Sequence, residues 1–280
     1  MKQVKELFSD SVAYLEGVLE PKNSVEKLLG DVISCAPKEV YLHFDQLLTL
    51  EQEKLFKDHL ERRKKSEPVE YILKKVFFYE SEFFINQDVL IPRLETELLV
   101  DLVVEELKGQ NLKEKTLWDI CTGSGCIGIS IKKKLPDLKV VCSDICPKAL
   151  EIAKKNAELN SVQIDFLNGD LLDPFQKNSC DYLVSNPPYI SFKDKEWMDE
   201  DVKGFEPSKA LFAPDEGLEC YKRFKLLMPQ YLKTGAKAFF EMGYNQKKEI
   251  ENLFFDSNFK DLRFIKDYPG KDRFFFLEIE

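Results

Sequence analysis

The chain has 280 residues, of which 44% are hydrophobic, so it is long enough for one large domain or for a large and a small one with packed cores. Its formal net charge of -9 argues against a broad electrostatic grip on nucleic acid, because phosphate binding needs clustered basic residues. The seven cysteines form no CxxC pair and there are only two histidines, so we expect free thiols and no metal site or disulfides. The sequence shows no signal peptide and no long apolar run, so we expect a cytoplasmic protein without membrane association.

The first 65 residues carry charged and apolar side chains at helical spacing, with Pro21 and Pro37 separating the segments. This pattern predicts a small helical domain over residues 1–67. The predicted helical domain ends near a run of four basic residues, Arg62–Lys65. One interpretation of that run is a solvated helix end whose cations complement the helix dipole, and the other is a contact with an acidic or RNA-bound partner.

Residues 69–91 change character. Two β-rich runs, which include Tyr71 and Ile72 in the first, flank Glu80-Ser81-Glu82 and predict a hairpin. We assign residues 68–92 as a β-hairpin linker. A helix is predicted to begin near Leu94.

Strands and helices alternate through the remainder, residues 93–280, which predicts an α/β domain with a parallel sheet and helices on both faces. Ligands are expected at the carboxyl ends of its strands. The predicted strands are Thr116–Cys121, Leu138–Asp144, Gln163–Leu167, Tyr182–Ser185 and Ala236–Met242, the helices Ala149–Leu159 and the region Leu218–Leu232, and the terminal hairpin Arg263–Tyr268 with Arg273–Ile279.

A glycine-rich turn follows the first of these strands. Gly123 to Gly128 match G-x-G-x-x-G, and Asp144 lies 19 residues beyond Gly125, at the end of the next strand. Glycines let a ligand approach the backbone at a helix N-terminus, and the acid accepts hydrogen bonds from a ribose diol. The motif predicts a ribose-bearing cofactor without choosing between NAD and S-adenosylmethionine; the alternative is a turn that only packs helix on strand.

A further acid follows the third predicted strand. Asp170 is placed to accept a hydrogen bond from an adenine amino group, with Leu171 packing on the ring. The alternative for Asp170 is a simple helix cap.

The loop after the fourth predicted strand reads Asn186-Pro187-Pro188-Tyr189. An amide or aromatic amino nitrogen is a poor nucleophile, because its lone pair is delocalised. Acceptors aligned with its two N–H bonds, here the Asn186 side-chain oxygen and the Pro187 carbonyl, favour a lone pair directed at a methyl group. The prolines stiffen the loop, and Tyr189 can stack on the planar substrate. The alternative is an ordinary Pro-Pro turn.

These residues together resemble the HemK/PrmC family, the peptide chain release factor N(5)-glutamine methyltransferases. The resemblance covers nearly the whole chain and is weakest over the first sixty residues. The stretches that carry it are Pro68–Leu73, Leu90–Glu97, Asp119–Gly125, Ser185–Ile190 and Phe205–Pro207.

The resemblance implies a seven-stranded, Rossmann-like class I methyltransferase domain, preceded by a helical domain that docks the release factor and by a hairpin linker. It implies methyl transfer from S-adenosylmethionine to the glutamine of a Gly-Gly-Gln loop, releasing S-adenosylhomocysteine, by a monomer. The implied cofactor-binding residues are Cys121, Thr122, Gly123, Ser124, Gly125, Asp144, Asp170, Leu171 and Asn186; the substrate-binding residues are Asn186, Pro187, Pro188 and Tyr189, of which Asn186 and Pro187 are catalytic.

Three residues depart from the family pattern. Cys121 and Lys74 stand where glycine is common, and Leu94 stands where proline usually follows Ile-Pro-Arg. Lys74 and Leu94 do not touch the predicted chemistry but make the hairpin geometry less certain, whereas Cys121 is small enough to fit and is expected to tighten the loop slightly around the methionine end of the cofactor.

Four alternatives remain open. Within the resemblance, the substrate could be a glutamine of a ribosomal protein. The Asn-Pro-Pro-Tyr motif also occurs in adenine amino methyltransferases, although the acidic balance and the lack of a target-recognition domain disfavour nucleic acid. An NAD-dependent oxidoreductase fits the glycine loop alone, and a binding module that only retains the fold is disfavoured by the complete set of site residues.

Overall fold

The computed structural model describes residues 2–280 and divides into two compact units. The first consists of the chain up to Lys75 together with Met198–Phe205, and the second of Val76–Trp197 together with Glu206–Glu280. Within the described residues, no helix is long and apolar enough to cross a membrane.

The first unit is helical, as predicted from its sequence. Its helices pack around a core that contains Val25, Leu28, Leu29 and Phe56. Prolines stand at the first turns of two of its elements, where the ring fixes φ and no intrahelical N–H bond is lost. Its elements are α1 (Val4–Tyr14), α2 (Pro21–Ile33), a 3-10 helix (Pro37–His43), α3 (Leu50–Lys64) and α4 (Val69–Leu73).

The basic run at the end of α3 is not simply a solvated helix end. Arg63 is only 3% exposed, and its guanidinium donates to Ser24 Oγ and to the carbonyls of Glu67 and Leu19. Arg62 pairs with the Glu67 carboxylate. Arg63 is therefore a core residue of this unit, and the solvated interpretation is wrong for it.

The predicted hairpin is shorter than expected. Tyr71 and Ile72 lie in helix α4, and the hairpin consists only of β1 (Lys75–Phe78) and β2 (Ser81–Phe84). Both residues are buried, and Ile72 belongs to the apolar core of the helical unit. The turn at Tyr79 and Glu80 has positive φ at both positions, which is the type that matches the twist of a two-stranded ribbon.

The second unit contains a seven-stranded sheet, so the predicted fold class is confirmed. Its strand order is β10-β11-β9-β6-β3-β4-β5, in which the pairs from β9 to β5 are parallel and β11 is antiparallel to both of its neighbours. The strands that follow the hairpin are β3 (Thr116–Ile120), β4 (Lys139–Asp144), β5 (Asp165–Asn168), β6 (Cys180–Ser185), β7 (Ile190–Ser191), β8 (Phe212–Ala213), β9 (Leu232–Glu241), β10 (Phe259–Lys266) and β11 (Asp272–Ile279).

Helices cover both faces of this sheet. One apolar cluster contains Leu99 and Ile129 and the other contains Phe224 and Ile250, so the sheet is buried on both sides. Every residue of the central strand β6 is buried. The helices after α4 are α5 (Leu94–Leu107), α6 (Cys126–Lys134), α7 (Pro147–Leu159), α8 (Glu200–Phe205), α9 (Ser208–Leu211), α10 (Pro214–Gly217), α11 (Glu219–Tyr231) and α12 (Lys247–Phe254), with a 3-10 helix at Phe192–Trp197.

The predicted alternation of strands and helices is confirmed with small boundary shifts. The strand predicted from Gln163 begins at Asp165, and the strand predicted from Ala236 begins at Leu232. Helix α12 and the short elements between residues 190 and 217 were not predicted, because none of them has a long periodic apolar pattern.

Candidate active site

A cavity of about 270 Å³ opens at the carboxyl edge of the sheet. Parallel strands end together at this edge, so residues far apart in the chain meet there. The cavity is lined by the loop after β3, by the ends of β4 and β6, by the stretch before α5 and by the start of α9. Its lining includes Cys121, Thr122, Gly123, Ser124, Asp144, Asn186 and Pro188 from the predicted site, together with residues of the ranges 87–96 and 207–210.

The loop after β3 has the backbone conformation that its glycines permit. Gly123 and Gly125 have φ of 54° and 82°, and Gly125 is the N-cap of α6. A Cβ on Gly128 would stand 2.5 Å from Cys142 Sγ, so only glycine lets α6 lie this close to β4. The loop is thus shaped by the sheet beneath it and offers the N-terminal N–H groups of α6 to the cavity.

The buried carboxylate of Asp119 organises this loop from below. Its Oδ2 accepts hydrogen bonds from Thr122 Oγ1 at 2.5 Å and from the Gly128 N–H at 2.9 Å. Burial is the main cause that raises the pKa of Asp119 to about 6. Asp119 supports both ends of the glycine loop and does not itself line the cavity.

Asp144 lies at the end of β4 and lines the cavity. Its two carboxylate oxygens accept hydrogen bonds from the backbone N–H groups of Gly123 and Cys146, each at 2.9 Å. Burial raises the pKa of Asp144. Each carboxylate oxygen has a second lone pair, so the group can still accept a ligand hydroxyl while it holds the glycine loop in register.

Asp170 and Leu171 are not among the residues that line the cavity. The Asp170 carboxylate instead forms a bidentate pair with the Arg223 guanidinium, at 3.1 and 2.9 Å. Leu171 is buried. Their role at an adenine ring therefore stays a prediction.

The loop after β6 brings Asn186 and Pro188 to the cavity, while Pro187 is buried beneath them. The Asn186 side-chain nitrogen donates to Thr96 Oγ1, at 3.3 Å. Thr96 lies in the first turn of α5 and also lines the cavity. The predicted methyl-acceptor loop and the predicted cofactor loop are thus two walls of one cavity.

Tyr189 is held away from the cavity lining. Its hydroxyl donates to Glu241 Oε1 at 3.1 Å, and its carbonyl accepts from Gln246 Nε2 at 3.0 Å. Burial, and then the charge of Glu241, raises the pKa of Tyr189 well above its usual range. Its stacking on a substrate remains a prediction.

Glu206 joins two further parts of the wall. Its carboxylate pairs with the Arg93 guanidinium and accepts from the Ile91 N–H at 3.2 Å. Glu206 is 5% exposed, so this pairing fixes the stretch before α5 against the stretch that leads into α9. It brings together two of the sequence stretches that carried the family resemblance.

Thr96, Glu206 and Glu241 were missed as functional residues. Thr96 and Glu206 lie in stretches that carry the family resemblance, but nothing in the sequence indicates which residues they contact. Glu241 could have been found, because it is an acid at the carboxyl end of a parallel strand, the same signal that identified Asp144.

Comparison with known proteins identifies the family. The PrmC N-terminal domain model matches residues 6–73 and the methyltransferase small domain model matches residues 95–201. The release factor glutamine methyltransferase of Chlamydia trachomatis serovar D is 39% identical over 98% of this chain and 94% of its own length. That of Bacillus cereus is 33% identical over 99% of this chain and 100% of its own length. The chain belongs to the release factor glutamine methyltransferase family.

Family membership confirms the prediction of a methyltransferase that uses S-adenosylmethionine, and it excludes the oxidoreductase and the non-enzymatic alternatives. Among solved structures, the chain is similar to a T. thermophilus 16S rRNA N2 G1207 methyltransferase solved with AdoMet and guanosine. That likeness has a TM-score of 0.53 at 14% identity, over 74% of this chain and 50% of the other, and it supports the fold alone.

Proposed function

We propose that this chain methylates the side-chain amide nitrogen of the glutamine in the Gly-Gly-Gln loop of peptide chain release factors. The observation that carries the proposal is the position of Asn186, which lies on the wall of the same cavity as the Cys121–Ser124 loop and Asp144. An amide-binding loop and a nucleoside-binding loop that share one cavity suit direct methyl transfer between their ligands.

The cofactor end of the cavity would be held by Cys121–Ser124 and Asp144. The S-adenosylmethionine ribose would donate to the Asp144 carboxylate, and the N–H groups at the start of α6 would face the methionine end. S-adenosylmethionine supplies an electrophilic methyl group on a sulfonium. The protein contributes the alignment, because the Asp144 carboxylate is already fixed by the Gly123 and Cys146 N–H groups.

The substrate end would be formed by Asn186, Pro187, Pro188 and Tyr189. The Asn186 side-chain oxygen and the Pro187 carbonyl would accept the two N–H bonds of the glutamine amide, directing its lone pair towards the methyl carbon. In the transfer, the N–C bond would form as the C–S bond of the sulfonium breaks, and the amide nitrogen would give up one proton to solvent. Positioning of this kind contributes roughly 7–11 kcal/mol in favourable systems.

We further propose that the helical region, residues 1–67, docks the release factor, that residues 68–92 link it to the catalytic region 93–280, and that the enzyme acts as a cytoplasmic monomer. The match of the PrmC N-terminal domain model to residues 6–73 supports a front region particular to this family. The net charge of -9 suits a protein substrate better than nucleic acid.

The proposal is tested with labelled S-adenosylmethionine and, in separate reactions, a release factor, ribosomal proteins and duplex DNA. We expect label on the release factor only, and none when the glutamine of its Gly-Gly-Gln loop is changed. Label confined to ribosomal proteins or to DNA contradicts the proposal.

The Asn186→Ala variant tests the acceptor role of the loop. Because this side chain holds the reacting nitrogen, we expect kcat to fall about 10²-fold or more while the Kd for S-adenosylmethionine, measured by calorimetry, changes little. Asn252→Ala, on the exposed surface of α12, is the matched control and should retain the wild-type rate. Full turnover by Asn186→Ala rules out the role.

A further inference from the structure

A short chain of hydrogen bonds connects Asn186 to a buried acid on another strand. Asn186 Nδ2 donates to Thr96 Oγ1 at 3.3 Å, and Thr96 Oγ1 donates to Glu241 Oε2 at 2.7 Å. The three residues come from the loop after β6, the first turn of α5 and the end of β9. Glu241 and Thr96 are each 2% exposed, so the hydrogen bond between them is shielded from water.

The direction of these bonds follows from counting hydrogens. A carboxylate only accepts, and a threonine hydroxyl has a single hydrogen. That hydrogen is committed to Glu241, so the Thr96 oxygen can only accept from its other neighbour. The atom of Asn186 that faces Thr96 must therefore be the amide nitrogen, and the side-chain oxygen, in the same plane, must point away from Thr96.

The opposite orientation would defeat the chemistry. With its amide reversed, Asn186 would present two N–H donors to a substrate nitrogen that carries its own N–H bonds, and the two groups would repel. A threonine without Glu241 would permit either orientation, because its freely rotating hydroxyl could accept from the amide nitrogen or donate to the amide oxygen.

We propose that Thr96 and Glu241 are positioning residues that select the orientation of the Asn186 amide, so that its oxygen is the atom available to the substrate. This inference rests on the proposed methyl transfer to an amide nitrogen, and it explains how the Asn186 oxygen is oriented to accept a hydrogen bond from that nitrogen.

Glu241 also holds the other end of the same loop. Its Oε1 accepts from the Tyr189 hydroxyl at 3.1 Å, while its Oε2 accepts from Thr96, the residue that in turn accepts from Asn186. The Tyr221 hydroxyl donates to the Glu241 carbonyl at 2.7 Å and fixes the backbone at this point. One carboxylate therefore sets the orientation of the first residue of the loop and anchors the last.

The orientation depends on the ionised form of Glu241. A protonated carboxyl can donate to Thr96, which releases the threonine hydrogen towards Asn186 and permits the reversed amide. Burial raises the pKa of Glu241, whereas the donors on its carboxylate and the charge of Arg273 act to lower it. The titratable and charged groups that face Glu241 are Tyr189, Tyr221, Arg273, Glu95 and Cys126.

The sign of the pH effect follows. Ionised Glu241 is required, so the rate should be full above its raised pKa and should fall as the pH drops through it. In Glu241→Gln the neutral amide does not titrate, so we expect a lower plateau rate and no acid limb attributable to this residue. A Glu241→Gln enzyme with an unchanged rate and an unchanged acid limb would contradict the inference.

The decisive comparison is between two substitutions of Thr96, assayed with a release factor as methyl acceptor. Thr96→Val keeps the shape and removes the hydroxyl, and we expect kcat to fall roughly 10- to 100-fold, as for loss of a group that orients a directly acting residue. The Kd for S-adenosylmethionine should stay within about twofold of wild type. Thr96→Ser keeps the hydroxyl and should restore most of the rate. The control, Thr116→Val, makes the same exchange at the first residue of β3, which does not line the cavity.

A wild-type rate in Thr96→Val, or a Thr96→Ser variant as slow as Thr96→Val, overturns the inference. A readout without substrate separates this result from a failure of the proposed function. In labelled protein, nuclear Overhauser contacts should connect the Asn186 side-chain NH2 to the Thr96 methyl group. If wild type methylates no release factor but these contacts are present, the proposed function fails and the selected orientation stands; their absence in wild type refutes the orientation itself.

Discussion

Cys121 and Lys74 have left-handed backbone conformations, with φ of 60° and 57°. These are two positions at which the family resemblance leads us to expect glycine. An L-residue in this region costs roughly 1–2 kcal/mol because its Cβ approaches the neighbouring carbonyl, whereas glycine has no such penalty. Lys74 is the C-cap of α4, a position at which glycine is the common solution. Both departures are thus explained as tolerated strain and not as changes of chemistry.

Replacing Cys121 with glycine should stabilise the protein. The variant removes the left-handed penalty but makes the unfolded chain more flexible, so we expect a net gain of about 0.5–1 kcal/mol in the free energy of unfolding, measured by urea denaturation. Cys220→Gly is the matched control, because Cys220 lies within helix α11, where glycine weakens the helix. A Cys121→Gly variant less stable than wild type would show that the thiol contributes packing that outweighs the strain.

The residues of the candidate site were predictable where they follow a parallel strand. Cys121–Ser124 and Asn186 come directly after a strand and Asp144 is the last residue of one, and the carboxyl ends of those strands meet at one edge. The Thr96–Glu241 hydrogen bond was not predictable, because its partners are 145 residues apart and each is unremarkable in its own segment. Pairing of this kind depends on how α5 packs against β9.

At the scale of elements, the Asn186–Tyr189 loop rests on the turn that contains Gly217. Gly217 has a φ of 85°, and a Cβ at this position would stand 2.0 Å from the Tyr189 carbonyl oxygen. It would also stand 2.7 Å from Gln246 Nε2, the donor to that same carbonyl. The loop therefore keeps its place only if this turn lacks a side chain.

Gly217→Ala should displace the loop and slow the reaction. Because the added methyl group cannot share the space of a backbone carbonyl, we expect the loop to shift by about an ångström or more. A displacement of that size between reacting groups lowers enzymatic rates substantially, so we expect kcat to fall about 10- to 100-fold. The control is Gly235→Ala, which has a similar φ of 77° and only Glu278 Oε1, at 3.8 Å, near the new Cβ. That variant should lose about 1 kcal/mol of stability and keep its kcat. Equal rates for the two variants would show that backbone strain, and not contact with Tyr189, governs the effect.

Sequence patterns predicted the regular elements of the sheet domain well because their apolar residues are buried on both faces. They failed where the residue types were ambiguous. Tyr71 and Ile72 are residue types that favour strands. They nevertheless lie in helix α4, which begins directly after Glu67-Pro68, and both are buried there, so packing overrides their intrinsic preference. The short elements between residues 190 and 217 have too few residues to show a period.

At the scale of the whole molecule, the first unit is assembled from two separate segments of the chain. Asp201, in α8, contributes to it a carboxylate 3.8 Å from the buried Arg63 guanidinium. Both side chains are largely shielded from solvent, at 4% and 15% exposure, so their interaction is less screened than a surface pair. The burial of Arg63 itself lowers its pKa, which the charge of Asp201 opposes.

Removing the carboxylate of Asp201 should weaken this unit. Asp201→Ala leaves the Arg63 charge without its acidic neighbour, and we expect a loss of about 1 kcal/mol, seen as a lower Tm in calorimetry. Glu200→Ala, which removes the adjacent exposed acid, should change the Tm little. The idea fails if the two variants melt alike.

The helical front and the sheet domain were both predictable as separate regions, because the period of their apolar residues differs. The return of residues 198–205 to the first unit was not, since no sequence pattern marks a segment that completes a distant core.

This two-segment construction constrains how the protein can be recombined with its relatives. A chimera joined once, near residue 75, would combine Arg63 of one parent with the segment of the other parent that corresponds to α8. The two segments of the first unit would then come from different parent proteins. A functional exchange of front regions needs three junctions, one near residue 75 and two that flank residues 198–205. Chimeras that exchange only the N-terminal helical region should therefore fold poorly even when both parent proteins are stable.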